Sequence, residues 1–334
     1  MDRIGCFFMT ARTLGDLEAR VLKAEELGYD ACGFPHIAGR DAMATLAAIG
    51  PKTQRMRLAT GVVPIYTRSP VTMAQEAGLI NVATGGRFML GIGTGHQALV
   101  ESWHGTPFTK PLTAMRDYLT IVRGAIRDGS VTHHGEVFRA SFGFLGFQPQ
   151  PAMKILVGAL GPKMLQLAGE LADGVVLWMS TPAHMRDVVL PNVRIGAERA
   201  GRDANRLEVL ACLFAAPGPD RASARDAIRR QLFAYLQLPS YRTTIAASGY
   251  AADLAAFDEG VAMQDLPRSL AGLSDALIDD LAATGSPDEV AATLDAFVRA
   301  GCTTPGVGVV GGYDGYENSA RSLELCKEAG ALVA

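Results

Sequence analysis

The sequence predicts a (β/α)8 barrel with a loop and hairpin excursion before strand five and a helical extension between strands seven and eight. Three observations predict it. Eight short apolar runs alternate with helical segments, the pattern of a parallel α/β barrel. With 334 residues and 49% hydrophobic content, the chain can bury one large core. No sequence repeat is evident at a fixed period. An open doubly wound sheet is the competing fold; strand count and strand length favour the barrel. On this reading 1–334 is a single barrel domain, carrying the excursion at 130–150 and the extension at 217–285.

Ile4 to Phe8 reads as the first buried strand. Leu14, Leu17, Val21, Ala24 and Leu27, spaced by three and four, give the helix after it, and Gly28 stops that helix. Tyr29 to Phe34 is strand two, with Pro35 and His36 at its end; Asp41 caps a helix over 42–49, and Pro51 terminates it. Met56 to Pro64 is strand three. Ser69 and Pro70 supply the N-cap and first turn of a helix to about Val82. Phe88 to Ile92 is strand four. Leu112, Met115, Leu119, Val122 and Ile126 form the clearest helical stripe of the chain. Residues 130–150 then break the rhythm: 131–138 resembles a hairpin arm, 142–147 is rich in aromatic residues and glycine, and the segment is a candidate cover for a site.

Lys154 to Leu160 is strand five, and Gly161-Pro162-Lys163 opens the helix that follows. Gly174 to Met179 is strand six, with a helix after Thr181-Pro182; Leu207 to Ala215 is strand seven. The stretch 217–285 exceeds one crossover: Ile228, Leu232, Tyr235 and Leu236 mark one helix there, Leu277 and Leu281 another. Ser286-Pro287-Asp288-Glu289 is a strong helix start, with Val290, Leu294, Phe297 and Val298 on the inner face. Gly306 to Val310 is strand eight, and a last helix covers 319–329.

Composition narrows the function. The 31 Lys and Arg balance 34 Asp and Glu to a net charge of −3 without a basic block, which disfavours nucleic acid and anionic membranes as partners. Cys6, Cys32, Cys212, Cys302 and Cys326 are dispersed, odd in number and form no CxxC pair, so they read as reduced core thiols and not as a disulfide framework or zinc site. The N-terminus runs from Met1-Asp2-Arg3-Ile4 into a short apolar run without a signal-peptide pattern, and no apolar run approaches the roughly 20 residues that span a bilayer. The expectation is a cytoplasmic protein.

In a barrel the site lies at the strand carboxyl ends. Those ends carry Phe8, Pro35-His36, Val62-Val63-Pro64, Thr94-Gly95-His96-Gln97, Leu160-Gly161, Trp178-Met179 and Ala216. The set is mostly apolar, with two histidines and a tryptophan, and has neither a carboxylate cluster nor ligands at metal spacing. No metal site is expected, and a flat apolar ligand such as a flavin ring suits it better. The stretch Gly85 to Gln97 is the focus: an apolar strand ending in Gly91, Gly93 and Gly95. It is either a rim that lets a ligand approach the backbone or relief of crowding in a packed barrel. It is not a dinucleotide fingerprint, because the third glycine of that pattern is replaced by His96. Gly158-Ala159-Leu160-Gly161-Pro162-Lys163 sits at a strand-to-helix junction whose free N–H groups suit a phosphate, with Lys163 adding charge; an ordinary capped junction reads the same way. His36 and His96 are the candidate catalytic residues for proton movement. His133, His134 and His184 read as surface residues, and Trp178 as core packing or a ring contact.

At this point the chain resembles the luciferase-like superfamily, within the coenzyme F420-dependent branch that includes methylenetetrahydromethanopterin reductase. The resemblance is carried by Ala24 to Asp30; Ala59-Thr60-Gly61-Val62-Val63-Pro64 with Arg68-Ser69-Pro70; Thr84 to Gly95; Val157 to Met164 with Ala168 to Gly174; and Gly285 to Val290. These span nearly the whole chain in order. The resemblance implies a (β/α)8 barrel that binds a deazaflavin or flavin at its carboxyl face, and usually a homodimer. It implies a non-proline cis peptide in a bulge at Gly61-Val62-Val63 behind the ring. Thr94-Gly95-His96 and Gly158 to Lys163 then match phosphate- and tail-binding loops, and Phe8, Gly93 and Trp178 are further candidates for cofactor binding.

The expected function is F420-dependent hydride transfer to or from a small organic substrate, with His36 or His96 assisting. An FMN-dependent monooxygenase activating O2 is the close alternative, with the loops at 97–111 and 130–150 set to decide, and a non-catalytic flavin-binding protein is an alternative of another class. A barrel lyase would want a Schiff-base lysine or a carboxylate pair at strand ends, and neither is evident. Two departures stand out. No acidic residue neighbours the histidine in Gly33-Phe34-Pro35-His36, and His96 stands where the family's sugar-phosphate dehydrogenases place a glutamate, which counts against that activity.

Overall fold

The computed structural model describes residues 3–8, 11–310 and 316–333. The chain has the (β/α)8 barrel fold that its sequence predicts, parallel strands alternating with helices. The strands are β1 (Gly5–Phe7), β2 (Ala31–Phe34), β3 (Arg57–Thr60), β4 (Val63–Pro64), β5 (Phe88–Gly93), β6 (Val131–His134), β7 (Arg139–Phe142), β8 (Lys154–Gly158), β9 (Gly174–Trp178), β10 (Glu208–Pro217), β11 (Ala282–Gly285) and β12 (Thr304–Val309). The chain divides into two compact units, one of Met1–Ala31, Leu177–Pro191 and Val209–Ala334, the other of Cys32–Val176 and Asn192–Glu208.

In the first unit the strand order is β11-β10-β12-β1, all parallel, with Gly5 opposite Gly306 and Cys212 opposite Gly306 on its other side. The helix Leu14–Glu26 is capped by Thr13, whose hydroxyl accepts from Asp16 N. Its Arg20 is buried among the apolar positions because Asp16 takes its guanidinium at 3.0 and 3.1 Å, one turn away. The helix Pro287–Arg299 starts at the predicted capping box of Ser286 and Glu289 and buries Val290, Leu294 and Phe297. The extension holds more than its apolar markers indicate. Helices at Arg221–Tyr235, Pro239–Ile245, Ala251–Ala262, Leu266–Ala271 and Asp275–Leu281 lead into β11, a strand absent from the sequence reading.

In the second unit the order is β2-β3-β5-β8-β9, with β4 beside β5. The single third strand read from 56–64 is two strands. Leu58 and Ala59 pair with Phe88 and Met89, but Val63 and Pro64 pair with Ile92 and Gly93, so the register slips by one residue between them. That slip is a bulge, and the Gly61–Val62 peptide bond within it is cis. The helix Pro111–Asp128 buries Met115, Leu119, Val122 and Ile126, four of the five predicted stripe positions; Leu112, in its first turn, is exposed.

Within the predicted excursion, β6 and β7 pair as an antiparallel hairpin. Its anchor is Asp117 on the helix below. The carboxylate accepts from His133 Nε2 at 2.9 Å, Val137 N at 2.8 Å and Phe138 N at 3.2 Å. Burial pushes the Asp117 carboxyl up, but the bonds from His133 and the two amides outweigh it and hold the group below its ordinary value. A depressed folded value means the contribution is complete above the unfolded pKa, about 4, and is lost as pH falls through the folded value. Acidification is therefore expected to release hydrogen-exchange protection in 131–142 ahead of the barrel strands. Asp117→Ala, which strands two amides without an acceptor, is expected to cost about 1–3 kcal/mol in a denaturant titration. Equal loss of protection across hairpin and strands would show that the anchor is not local.

The five cysteines form no disulfide, and four of them are buried. Among the described residues no helix is long and apolar enough to cross a membrane, and no group of three or more His, Cys, Asp or Glu is placed to hold a metal ion.

Candidate functional site

The second unit brings most of the sequence-derived site residues to neighbouring strand ends. The Gly61 amide donates to Phe34 O at 2.8 Å, which ties the bulge to the end of β2, two residues before His36. Thr60 straps β3 to β5: its hydroxyl donates to Gly91 O at 2.7 Å and accepts from Gly91 N at 2.8 Å. β5 in turn pairs with β8 through Ile92 and Val157. His36, Gly61-Val62-Val63, Gly93 to His96 and Gly158 to Lys163 are therefore on four adjacent strand ends.

The glycines have a definite physical role here. A methyl group at Gly91 would collide with Thr60 O, and one at Gly93 or Gly158 would lie 2.5 or 3.0 Å from a methyl of Val62. The space that β5 and β8 leave by lacking side chains is used by the bulge itself. Of the two readings left open by the sequence, relief of crowding accounts for Gly91 in full. Gly93 and Gly158 seat the Val62 side chain.

Two helices begin at these ends without a side-chain cap. His96 is the N-cap of Gln97–His104 and Gly161 that of Pro162–Leu171, and neither side chain takes an amide. Thr13, Asp41, Ser69, Asp220, Ser274 and Ser286 do so at their helices, whereas Pro111–Asp128, Pro239–Ile245 and Ala251–Ala262 also start without a side-chain cap. Orphan amides at a helix start are matched to anions. Gly161 has open space where a side chain would be, Gly95 takes a positive φ of 71°, and Lys163 is exposed beside them. Ala159 is buried, and Gly158 and Leu160 are half-buried. These features fit a phosphate-bearing cofactor.

His36 is half-buried. Its Nδ1 accepts from Ala42 N at 3.2 Å and lies 3.7 Å from Asp41 Oδ2, which Arg68 Nη2 takes at 2.5 Å. Burial is the main cause that lowers its pKa; Asp41 opposes this, and Arg68 and His104 add to it. Burial also lowers the pKa of His96. Both are therefore neutral at physiological pH. Beside this network the hairpin turn faces the segment after β4, and Tyr66, Arg68, Phe138 and Arg139 line an open groove of about 680 Å³. Sequence reasoning had no signal for that groove, because its two walls are 70 residues apart.

Phe8 and Trp178 belong to the first unit. Trp178 sits in an aromatic cluster: its ring is 6.1 Å from Phe7, 4.6 Å from Phe214 and 5.6 Å from Tyr235. Phe8 is buried. One histidine reading is corrected. His184, read as a surface residue, is buried, with Nδ1 2.8 Å from Ser180 Oγ and its amide donating to Thr181 Oγ1. Ser180, just before the helix start, gives the imidazole a partner inside. His133 is half-buried against Asp117, and His134 is exposed.

Comparison with known proteins bears on this geometry. A family model described as luciferase-like monooxygenase matches residues 2–304. A 5,10-methylenetetrahydromethanopterin reductase from Archaeoglobus fulgidus is 31% identical over 307 residues, 90% of this chain and 91% of that protein. Among solved structures, the coenzyme F420-dependent tetrahydromethanopterin reductase of Methanopyrus kandleri superposes with a TM-score of 0.84 at 21% identity, covering 97% of each chain. A type II Baeyer–Villiger monooxygenase of Pseudomonas putida, in complex with FMN, superposes with a TM-score of 0.69 at 19% identity over 100% of this chain and 99% of that one. At these identities the two superpositions establish the fold.

Proposed function

Because the chain belongs to the luciferase-like monooxygenase family and is an oxidoreductase of it, we propose that it is a coenzyme F420-dependent enzyme that moves a hydride to or from a small organic substrate. The observation that carries this reading is the likeness, over nine tenths of the chain, to a methylenetetrahydromethanopterin reductase. The bulge and the two uncapped helix starts agree with it. When bound, the deazaflavin supplies two-electron hydride chemistry. The residues of this chain bind and orient it: the bulge at Gly61-Val62-Val63 supports the ring, and the amides of Gly93 to His96 and Gly158 to Lys163 hold phosphate and tail. His36 and His96, which burial biases toward the neutral form, would hydrogen-bond the cofactor or the substrate. A cytoplasmic homodimer is part of the same proposal, and light scattering tests the dimer.

Parallel fluorescence titration of the apo-protein with the deazaflavin and with FMN tests the reading. Tight deazaflavin binding with weak FMN binding is expected. The reverse preference would sink it in favour of an FMN-dependent monooxygenase. Tight deazaflavin binding without redox change across a panel of C=C, C=N and alcohol substrates would leave a non-catalytic carrier.

A further inference from the structure

We propose that the backbone amide of Ala42 is a positioning group for His36. It fixes the imidazole as the tautomer with its proton on Nε2, so that His36 meets a ligand as a neutral hydrogen-bond donor and not as a base. The proposal rests on the reading of His36 as a site residue and specifies what that residue does there.

The argument starts from the helix. Ala42 is the first residue of Ala42–Ile49, so its N–H has no partner within the helix. It donates to His36 Nδ1 at 3.2 Å. A nitrogen that accepts an N–H carries its lone pair there and no proton, so the proton of neutral His36 is on Nε2. Protonating Nδ1 would set two N–H groups against each other at a helix N-terminus, where positive charge is disfavoured.

The surroundings point the same way. Three charged or titratable groups face the imidazole from three elements: Asp41 before its own helix, Arg68 before the helix Pro70–Ala83, and His104 at the end of Gln97–His104. Arg68 and His104 oppose a positive charge on His36. Asp41 favours one, but its carboxylate is already committed: Oδ1 accepts from Ala44 N at 3.0 Å, and Oδ2 accepts from Arg68, whose other nitrogen holds Glu76 at 2.8 Å. Asp41 therefore caps the helix that presents the Ala42 amide, and the nitrogen that would act as a base is the one already occupied.

The test is a titration of histidine-labelled protein by two-bond ¹H–¹⁵N correlation, with the His36 signal assigned by its loss in His36→Gln. The Nε2–H pattern is expected for neutral His36, with the Ala42 amide resonance moving through the same midpoint and losing exchange protection below it. Ala42→Pro removes this N–H alone. Proline suits the first helical position, Asp41 has the extended φ of −60° and ψ of 124° that precedes proline, and Pro70, Pro162 and Pro287 already begin helices in this chain.

The variant is expected to raise the His36 midpoint by about half to one pH unit and to mix the tautomers. Asp41→Asn, which keeps an oxygen for the cap but loses the charge, is expected to lower the midpoint instead. An Ala42 amide in the unmodified protein that ignores the His36 titration, or an Nδ1–H pattern, overturns the proposal without any variant having to fold. Unchanged deazaflavin affinity and turnover in His36→Gln would instead overturn the site reading while leaving the tautomer result in place.

Discussion

Gly91→Ala is expected to cost the fold on the order of 3 kcal/mol, the upper end of what an added methyl group costs in a packed core. The methyl group would collide with Thr60 O, a backbone atom that cannot rotate away. Moving it means parting β3 from β5 and breaking both bonds that Thr60 makes to Gly91. Gly93→Ala is expected to cost less, because what it meets is a methyl of Val62 at 2.5 Å. The two cases separate in a double-mutant cycle. Val62→Ala is expected to rescue Gly93→Ala and to leave Gly91→Ala as damaged as before, each read from denaturant midpoints. A Gly91→Ala protein with an unshifted midpoint, or one rescued by Val62→Ala, would mean that the backbone of β3 does not approach β5 as closely as described.

The same bulge shows what was legible in the sequence. The barrel strands were readable because each is a short apolar run closed by polar or glycine residues, and burial of both faces leaves that mark on parallel strands. β11 was not, because Ala282-Ala283-Thr284-Gly285 has neither the bulk nor the branching of a strand. The bulge could be placed at Gly61-Val62-Val63 only through family resemblance, since a one-residue register slip leaves no periodicity of its own. His184 was misjudged because a polar residue can be buried when a partner sits four residues away, here Ser180; Arg20, which carried no expectation, is buried with Asp16 in the same way. Such pairs are visible in the sequence as i,i+4 spacings. Their burial is decided by what packs over them, and the spacing does not reveal that.

Gly161→Asp is expected to move stability and cofactor binding in opposite directions. Gly161 is the N-cap of Pro162–Leu171 with φ −88° and ψ 152°, a conformation open to any residue, and no atom lies within 4 Å of where its side chain would begin. Pro162 has no N–H and Leu165 N already donates to Gly161 O, so the amides left without a partner at this start are those of Lys163 and Met164. An aspartate at 161 would take one of them and set a negative charge at the positive end of the helix, raising stability by about half a kcal/mol. A cofactor phosphate would need the same amides. Losing one or two charge-assisted bonds, each about 1.5–3 kcal/mol, and gaining a like charge is expected to weaken binding on the order of 100-fold. Gly161→Asn caps the helix without the charge and is expected to fall between, at roughly tenfold weaker binding. The pair of readouts separates cause from damage: a misfolded variant loses both stability and affinity, whereas occupation of the phosphate site loses affinity alone. A raised melting temperature with unchanged affinity would place the phosphate elsewhere, and the assignment of Gly158 to Lys163 to the cofactor would fall with it.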